Sequence, residues 1–172
     1  MEKPSMDAQT SIPDFRIRPA VAEDVPLILG FIRELAEYEK LSHEVVATED
    51  LLRKTLFGDR RVAEVILGYL GDEPVGFALF FHNFSTFFGR PGIYLEDLYV
   101  KPEIRGRGIG KKMLAYLADL ARKRGCGRLE WWVLDWNEPA VGFYQSIGAV
   151  PMDQWTVHRL TGEALDQLAD QF

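Results

Sequence analysis

The chain has 172 residues, 47% hydrophobic and 27% charged, the proportions of an ordinary globular domain with a real core. Its formal net charge of −6 argues against a general binder of nucleic acid or of anionic membranes. An acidic balance suits a cationic substrate, and it equally suits plain solubility.

The opening "MEKPSMDAQTSIPD" has charge but no apolar run behind it, so a disordered tail over residues 1–13 is expected and a secretory signal is not. A single domain is expected over residues 14–172. "FRIR", from Phe15, alternates and predicts a first strand. Glu23 and Asp24 then open a helix, with Pro26 in its first turn and Leu27, Phe31, Leu35 and Tyr38 at helical spacing. Thr48 is a candidate cap for a second helix, "EDLLRKTLF". Arg61 to Leu70 and Pro74 to Asn83 predict two strands joined by the turn "GDEP". The stretch "FSTFFGRPG" reads as a loop, and Ile93 to Val100 as the next strand. Gly108 to Arg124 predicts a helix stopped by Gly125. "RLEWWVLD" reads as a strand with Trp131 and Trp132 on opposite faces, and "NEPAVGFYQSIG" as a short helix capped by Asn137. "WTVHRL" predicts a last strand and "GEALDQLADQF" a terminal helix or tail. The resulting class is α/β, a mixed sheet flanked by helices, with hairpins early and helical crossovers late.

No apolar run reaches the roughly 18–20 residues that span a bilayer. The lone cysteine, Cys126, forms no internal disulfide and suits a reducing cytoplasm. It also lacks the surroundings of an activated nucleophile. His43, His82 and His158 have no metal-ligand spacing with one another or with Cys126, so no metal is expected. Asn83-Phe84-Ser85 matches a glycosylation sequon, read here as chance.

The informative segment is "YLEDLYVKPEIRGRGIGKKML", where a strand runs into a helix through "RGRGIG". A Walker A loop fails, because Arg105 stands where glycine is needed and Lys112 where Ser or Thr is needed. A dinucleotide fingerprint fails at Lys111. The pattern Arg/Gln-x-x-Gly-x-Gly/Ala fits at Arg105, Gly108 and Gly110. Free N–H groups at a helix start, glycines that allow close approach, and the charges of Arg105, Arg107, Lys111 and Lys112 together suit a pyrophosphate. A basic turn without a ligand is the alternative reading of these residues alone.

With "VLDWNEPAVGFYQSIGA", "IRELAEYEKLS" and Gln154-Trp155, the segment resembles the GNAT acyl-CoA-dependent N-acetyltransferases. It is most similar to the diamine group, which includes spermidine/spermine and thialysine N-acetyltransferases. The resemblance implies a mixed, mostly antiparallel sheet, splayed near an acyl-CoA site, in a homodimer. It implies that Arg105, Gly106, Arg107, Gly108, Ile109, Gly110 and Lys111 hold the CoA pyrophosphate of acetyl-CoA. The backbone of Leu98, Tyr99 and Val100 would pair with the pantetheine arm. Asn137 would bond that arm or fix its own turn, and Tyr144 would lie near the CoA sulfur.

Acetyl transfer from a thioester to an amine requires a deprotonated amine, donors for an oxyanion and a proton for the leaving thiolate. Tyr144, with a phenol of reference pKa ~10, is the general-acid candidate. Glu96 is the candidate for assisting amine deprotonation through water. Asp97, its neighbour on the strand, should face the other way and is a candidate substrate ligand. Glu37 and Tyr38, in the helical region that lines the acceptor cleft of such folds, and Trp155 complete the candidate substrate contacts. Polyamine-specific relatives carry an acid in the loop before "YLED", where this chain has Ser85 and Thr86, as the thialysine branch does. The expected function is therefore acetyl transfer to a small primary amine. A protein-lysine acetyltransferase and a non-catalytic acyl-CoA sensor are the alternatives.

Overall fold

The structure is a computed structural model that describes residues 7–172. The elements follow in the order β1 (Ala8–Gln9), β2 (Phe15–Pro19), α1 (Val25–Tyr38), α2 (Glu49–Phe57), β3 (Glu64–Leu70), β4 (Glu73–Ser85) and β5 (Arg90–Val100). They continue with α3 (Ile109–Lys123), β6 (Leu129–Trp131), α4 (Glu138–Ser146) and α5 (Gly162–Ala169). The chain divides into two compact units, the first ending at Trp132 and the second spanning Val133–Phe172, where the sequence reading expects a single domain over 14–172.

The six strands form one sheet in sequence order. Each neighbouring pair from β1 to β5 is antiparallel, and β5 with β6 is parallel, across the α3 crossover. Strand β1 corrects part of the expected disordered tail. Ala8 and Gln9 pair with Ile17 and Arg16, and the Thr10 hydroxyl donates to the Phe15 carbonyl at 2.9 Å. These bonds satisfy an otherwise open edge of β2. Residues 1–6 lie outside the described residues.

Several ends form as their local chemistry dictates. The Thr48 hydroxyl accepts from the Leu51 N–H at 3.3 Å, capping α2. Gly125 follows α3 with φ of 69°, and the Cys126 N–H returns to the Ala121 carbonyl at 2.9 Å. Two expectations are corrected. The "FSTFFGRPG" stretch is largely strand: β4 and β5 extend to Ser85 and Arg90 and leave only residues 86–89 as the hairpin turn. The buried Ser85 side chain, through Oγ, accepts from the Phe88 N–H at 3.3 Å and so closes that turn. "WTVHRL" is not a strand. Alternation makes a strand only where a partner supplies the ladder, and residues 133–172 contain no strand.

One face of the sheet packs on α1 and α2 through Ile28, Phe31, Leu56, Val65, Leu67, Tyr69, Phe77 and Tyr99. Phe31 stacks on Phe77 with centroids 5.6 Å apart, and Tyr99 leans on Phe31 at 6.0 Å. This packing fixes the C-terminal half of β5 against α1. Asn83 Nδ2 donates to Glu130 at 2.7 Å, so the sequon asparagine is tied into the β4–β6 region of the sheet.

Candidate functional site

Strand β5 pairs with β6 only at Ile93, Tyr94 and Leu95. Among the described residues, no strand continues that ladder beside 96–100, so the sheet is open there. On its other side β5 is paired with β4 through Val100, with one irregularity. Leu79 faces Asp97 and Phe80 faces Leu95, so Glu96 is the extra residue of a β-bulge. Glu96 is consequently exposed, while Asp97 joins Tyr99 on the face turned to α1.

The bulge changes the reading of the two acids. Burial, together with Glu96 and Glu39, pushes the Asp97 carboxyl up to about 7. Glu39, just past the end of α1, is itself raised by burial. The sequence reading gives amine deprotonation to Glu96, whereas it is the Asp97 carboxyl that its surroundings raise. Glu39 lies in the same acceptor-cleft region as the candidates Glu37 and Tyr38, without a substrate contact assigned to it from the sequence. Its signal was readable: it continues the apolar stripe Ile28, Phe31, Ile32, Leu35 of α1, an acid where a hydrophobe belongs. Glu37 lines a cavity with Arg33, Ser42 and Val45.

Burial, followed by interaction with the Glu34 carboxylate of α1, pushes the Tyr99 phenol up to about 12. Its backbone is also committed. The Lys101 N–H donates to the Val75 carbonyl of β4 at 2.9 Å, and groups alternate along a strand. Tyr99 therefore turns its backbone to β4, while Leu98 and Val100 present theirs to the open edge. The Val100 carbonyl already accepts from Arg105 Nε at 2.9 Å, so an extended ligand at this edge would meet Leu98 and the Val100 N–H.

After β5 a short 3-10 turn, Pro102–Ile104, leads to the glycine junction. Gly106 and Gly108 have φ of 79° and 81°, the left-handed region where glycine alone is unstrained. Gly110 has a different reason. Its φ is not in that region, and an added Cβ would meet only Val100 Cγ2, at 3.9 Å. Among the described residues nothing demands a glycine there, and a small residue leaves room for a group lying against the helix start.

Helix α3 begins at Ile109 with no side-chain cap and no acid in its first turn. Its first N–H groups have no intrahelical acceptor, and Arg105, Arg107, Lys111 and Lys112 lie next to them along the chain. Positive charge at a helix N-terminus opposes the dipole. The arrangement is unfavourable alone and favourable around an anion, so these residues fit a pyrophosphate.

Asn137 and Tyr144 belong to the second unit. Asn137 precedes α4, whose Ala140 and Val141 N–H groups donate to its carbonyl at 3.0 Å, but its side chain makes no cap bond. The expected capping role of the amide is thus not realised. Tyr144 lies on α4 with its ring 5.3 Å from that of Phe143. Trp155 lies in an irregular segment, with its N–H donating to the Met152 carbonyl at 3.1 Å. Among the described residues no cluster of three His, Cys, Asp or Glu side chains is placed to hold a metal.

The acetyltransferase (GNAT) family matches residues 31–149 of the chain. The chain is 42% identical over 164 residues to a thialysine N-epsilon-acetyltransferase of Bos taurus, covering 89% of this chain and 96% of that protein. It is 33% identical to the L-ornithine N5-acetyltransferase NATA1 of Arabidopsis thaliana, covering 89% and 87%. Among solved structures it is similar to an integron cassette protein from the mobile metagenome of V. cholerae, with a TM-score of 0.77, 28% identity and 91% and 98% of the two chains covered.

Proposed function

Because the chain belongs to the GNAT acetyltransferase family and is an N-acetyltransferase, we propose that its acceptor is a primary amine on a small cationic molecule: a diamine, a polyamine or a lysine analogue such as thialysine. One observation carries this reading. A single strand, β5, has the raised, partly buried Asp97 beside Glu96 at its bulge, and the basic glycine junction just past its end. The open edge between them, at Leu98 and Val100, is long enough to take an extended arm as an added strand.

GNAT acetyltransferases use acetyl-CoA, which supplies an activated acetyl carbonyl and a thiolate leaving group. In this reading the residues from Arg105 to Lys111 hold the pyrophosphate. Glu96 attracts the ammonium group and Asp97, through water, takes its proton. A carboxyl near pH 7 is better matched to that transfer than one at the usual carboxylate pKa of ~4. Tyr144 gives a proton to the leaving thiolate, Asn137 binds the arm, and Tyr38, Glu37 and Trp155 bound the acceptor, all by the family resemblance. The same resemblance supports a homodimer, and the single cysteine a cytoplasmic setting.

The test is release of free CoA thiol from acetyl-CoA over a panel of diamines, polyamines, thialysine, lysine, ornithine and lysine-containing peptides. Turnover is expected with the small diamino compounds. Preference for peptides would move the protein to the protein-lysine class, and no release with any amine would leave an acyl-CoA-binding module.

A second experiment isolates the phosphate cradle. Gly110→Ala is expected to leave the fold intact, because there is room for a methyl group and alanine is the better helix former by about 1 kcal/mol. Gly110→Asp is expected to abolish most acetyl-CoA binding, measured by calorimetry, through bulk and like charge. Undiminished affinity in a folded Gly110→Asp protein would remove the cradle from this junction.

A further inference from the structure

Arg105 opens the glycine motif, yet in the structure it is not aimed solely at a ligand. Its Nε donates to the Val100 carbonyl at 2.9 Å. By the alternation of the strand, that carbonyl faces the open edge of β5. The same guanidinium lies over the Tyr38 ring, 4.3 Å from its centroid, and 5.6 Å from the centroid of Tyr99. Tyr99 in turn interacts electrostatically with Glu34, one helical turn before Tyr38 on α1. One planar side chain therefore joins three parts: the last residue of β5, the start of the phosphate junction, and the last turn of α1.

We propose that Arg105 is a positioning residue, which locks the open end of β5 to the acceptor-side helix α1 through Val100 and Tyr38, in addition to any charge it offers a phosphate. This rests on the transferase reading, since it assigns the open edge to the donor arm and α1 to the acceptor. The chemistry selects arginine. A flat guanidinium can stack on a ring and donate in its own plane at once, whereas a lysine ammonium provides a point charge on a flexible stem. Both arms of the lock act on the geometry of the strand end, so its loss should be felt wherever the arm is held, not only at the pyrophosphate.

The experiment compares wild type, Arg105→Lys, Tyr38→Leu and the double variant with two donors, acetyl-CoA and S-acetylpantetheine, which lacks the nucleotide and pyrophosphate. A positioning role predicts that Arg105→Lys lowers kcat/KM by a similar factor with both donors, about tenfold or more for the loss of a charge-assisted bond. It predicts that Tyr38→Leu has the same donor-independent signature, and that the double variant loses little more than the worse single one. A loss confined to acetyl-CoA, a full rescue by lysine, or full additivity would each overturn the proposal and leave a simple phosphate contact.

Hydrogen exchange of the ligand-free proteins gives a reading that does not depend on turnover. Amides of 98–105 should exchange faster in both single variants, and unchanged exchange would overturn the lock. Failure of wild type to acetylate any amine would count against the proposed function alone, because the exchange result stands without it. Circular dichroism of each variant establishes that it is folded.

Discussion

Replacing Tyr144 by Phe should lower kcat by about 10²–10⁴-fold while leaving acetyl-CoA affinity nearly unchanged, the range expected when a general acid is lost. The change removes one hydroxyl and keeps the ring, so the ring contact with Phe143 at 5.3 Å is retained. If the side chain serves only to pack within α4, stability and turnover should both stay near wild type. If it protonates the leaving thiolate, the loss appears at saturating amine, because the contact matters in the transition state and not in binding. A donor with a better leaving thiolate should recover part of the loss, since it needs the proton less. The measurement is kcat with the best amine of the panel, with acetyl-CoA binding by calorimetry beside it. Near-wild-type kcat, with chemistry shown to limit the rate, would return Tyr144 to a packing role.

The parts of the fold that were legible in the sequence are those encoded locally. Thr48 before "EDLL" and Gly125 after a run of helical period fix helix ends by capping chemistry acting within a few residues. The glycine junction was legible for the same reason: Gly106 and Gly108 must take positive φ, and the charges stand next to them in the chain. What escaped is set by pairing across the sheet. Nothing in "YLEDLYV" reveals that Leu79 and Phe80 of another strand will skip Glu96. Without the bulge, Asp97 and Glu96 read as equal acids on opposite faces. With it, one is exposed and the other is held toward α1 beside Glu39. "WTVHRL" failed in the opposite direction, since its alternation is real but no strand in 133–172 pairs with it. Pro91, inside the stretch that reads as a loop, pairs opposite Phe84 near the β4–β5 hairpin end, the kind of peripheral position a strand tolerates.

The altered view of Asp97 carries the second large expectation. Its carboxyl is pushed from the usual 3.8 up to about 7, first by burial, which disfavours the charge, then by repulsion from Glu96 and Glu39. Between those two values the native state binds a proton that the unfolded state has released. Stability should therefore fall as pH rises through that window and level off above it. Asp97→Asn removes the titration. At pH 8 the variant should melt several degrees above wild type, and near pH 4 the two should melt together. Activity should move the other way. Wild-type kcat/KM should rise with pH through a limb near 7, and Asp97→Asn should lose that limb and about 10²–10⁴-fold in kcat/KM at pH 8. The two measurements separate the burial of Asp97 from its use. A stability difference independent of pH would mean that Asp97 is not held protonated by its surroundings. A pH-dependent stability gain with unchanged turnover would leave Asp97 a buried acid, and deprotonation of the amine would return to Glu96 and water.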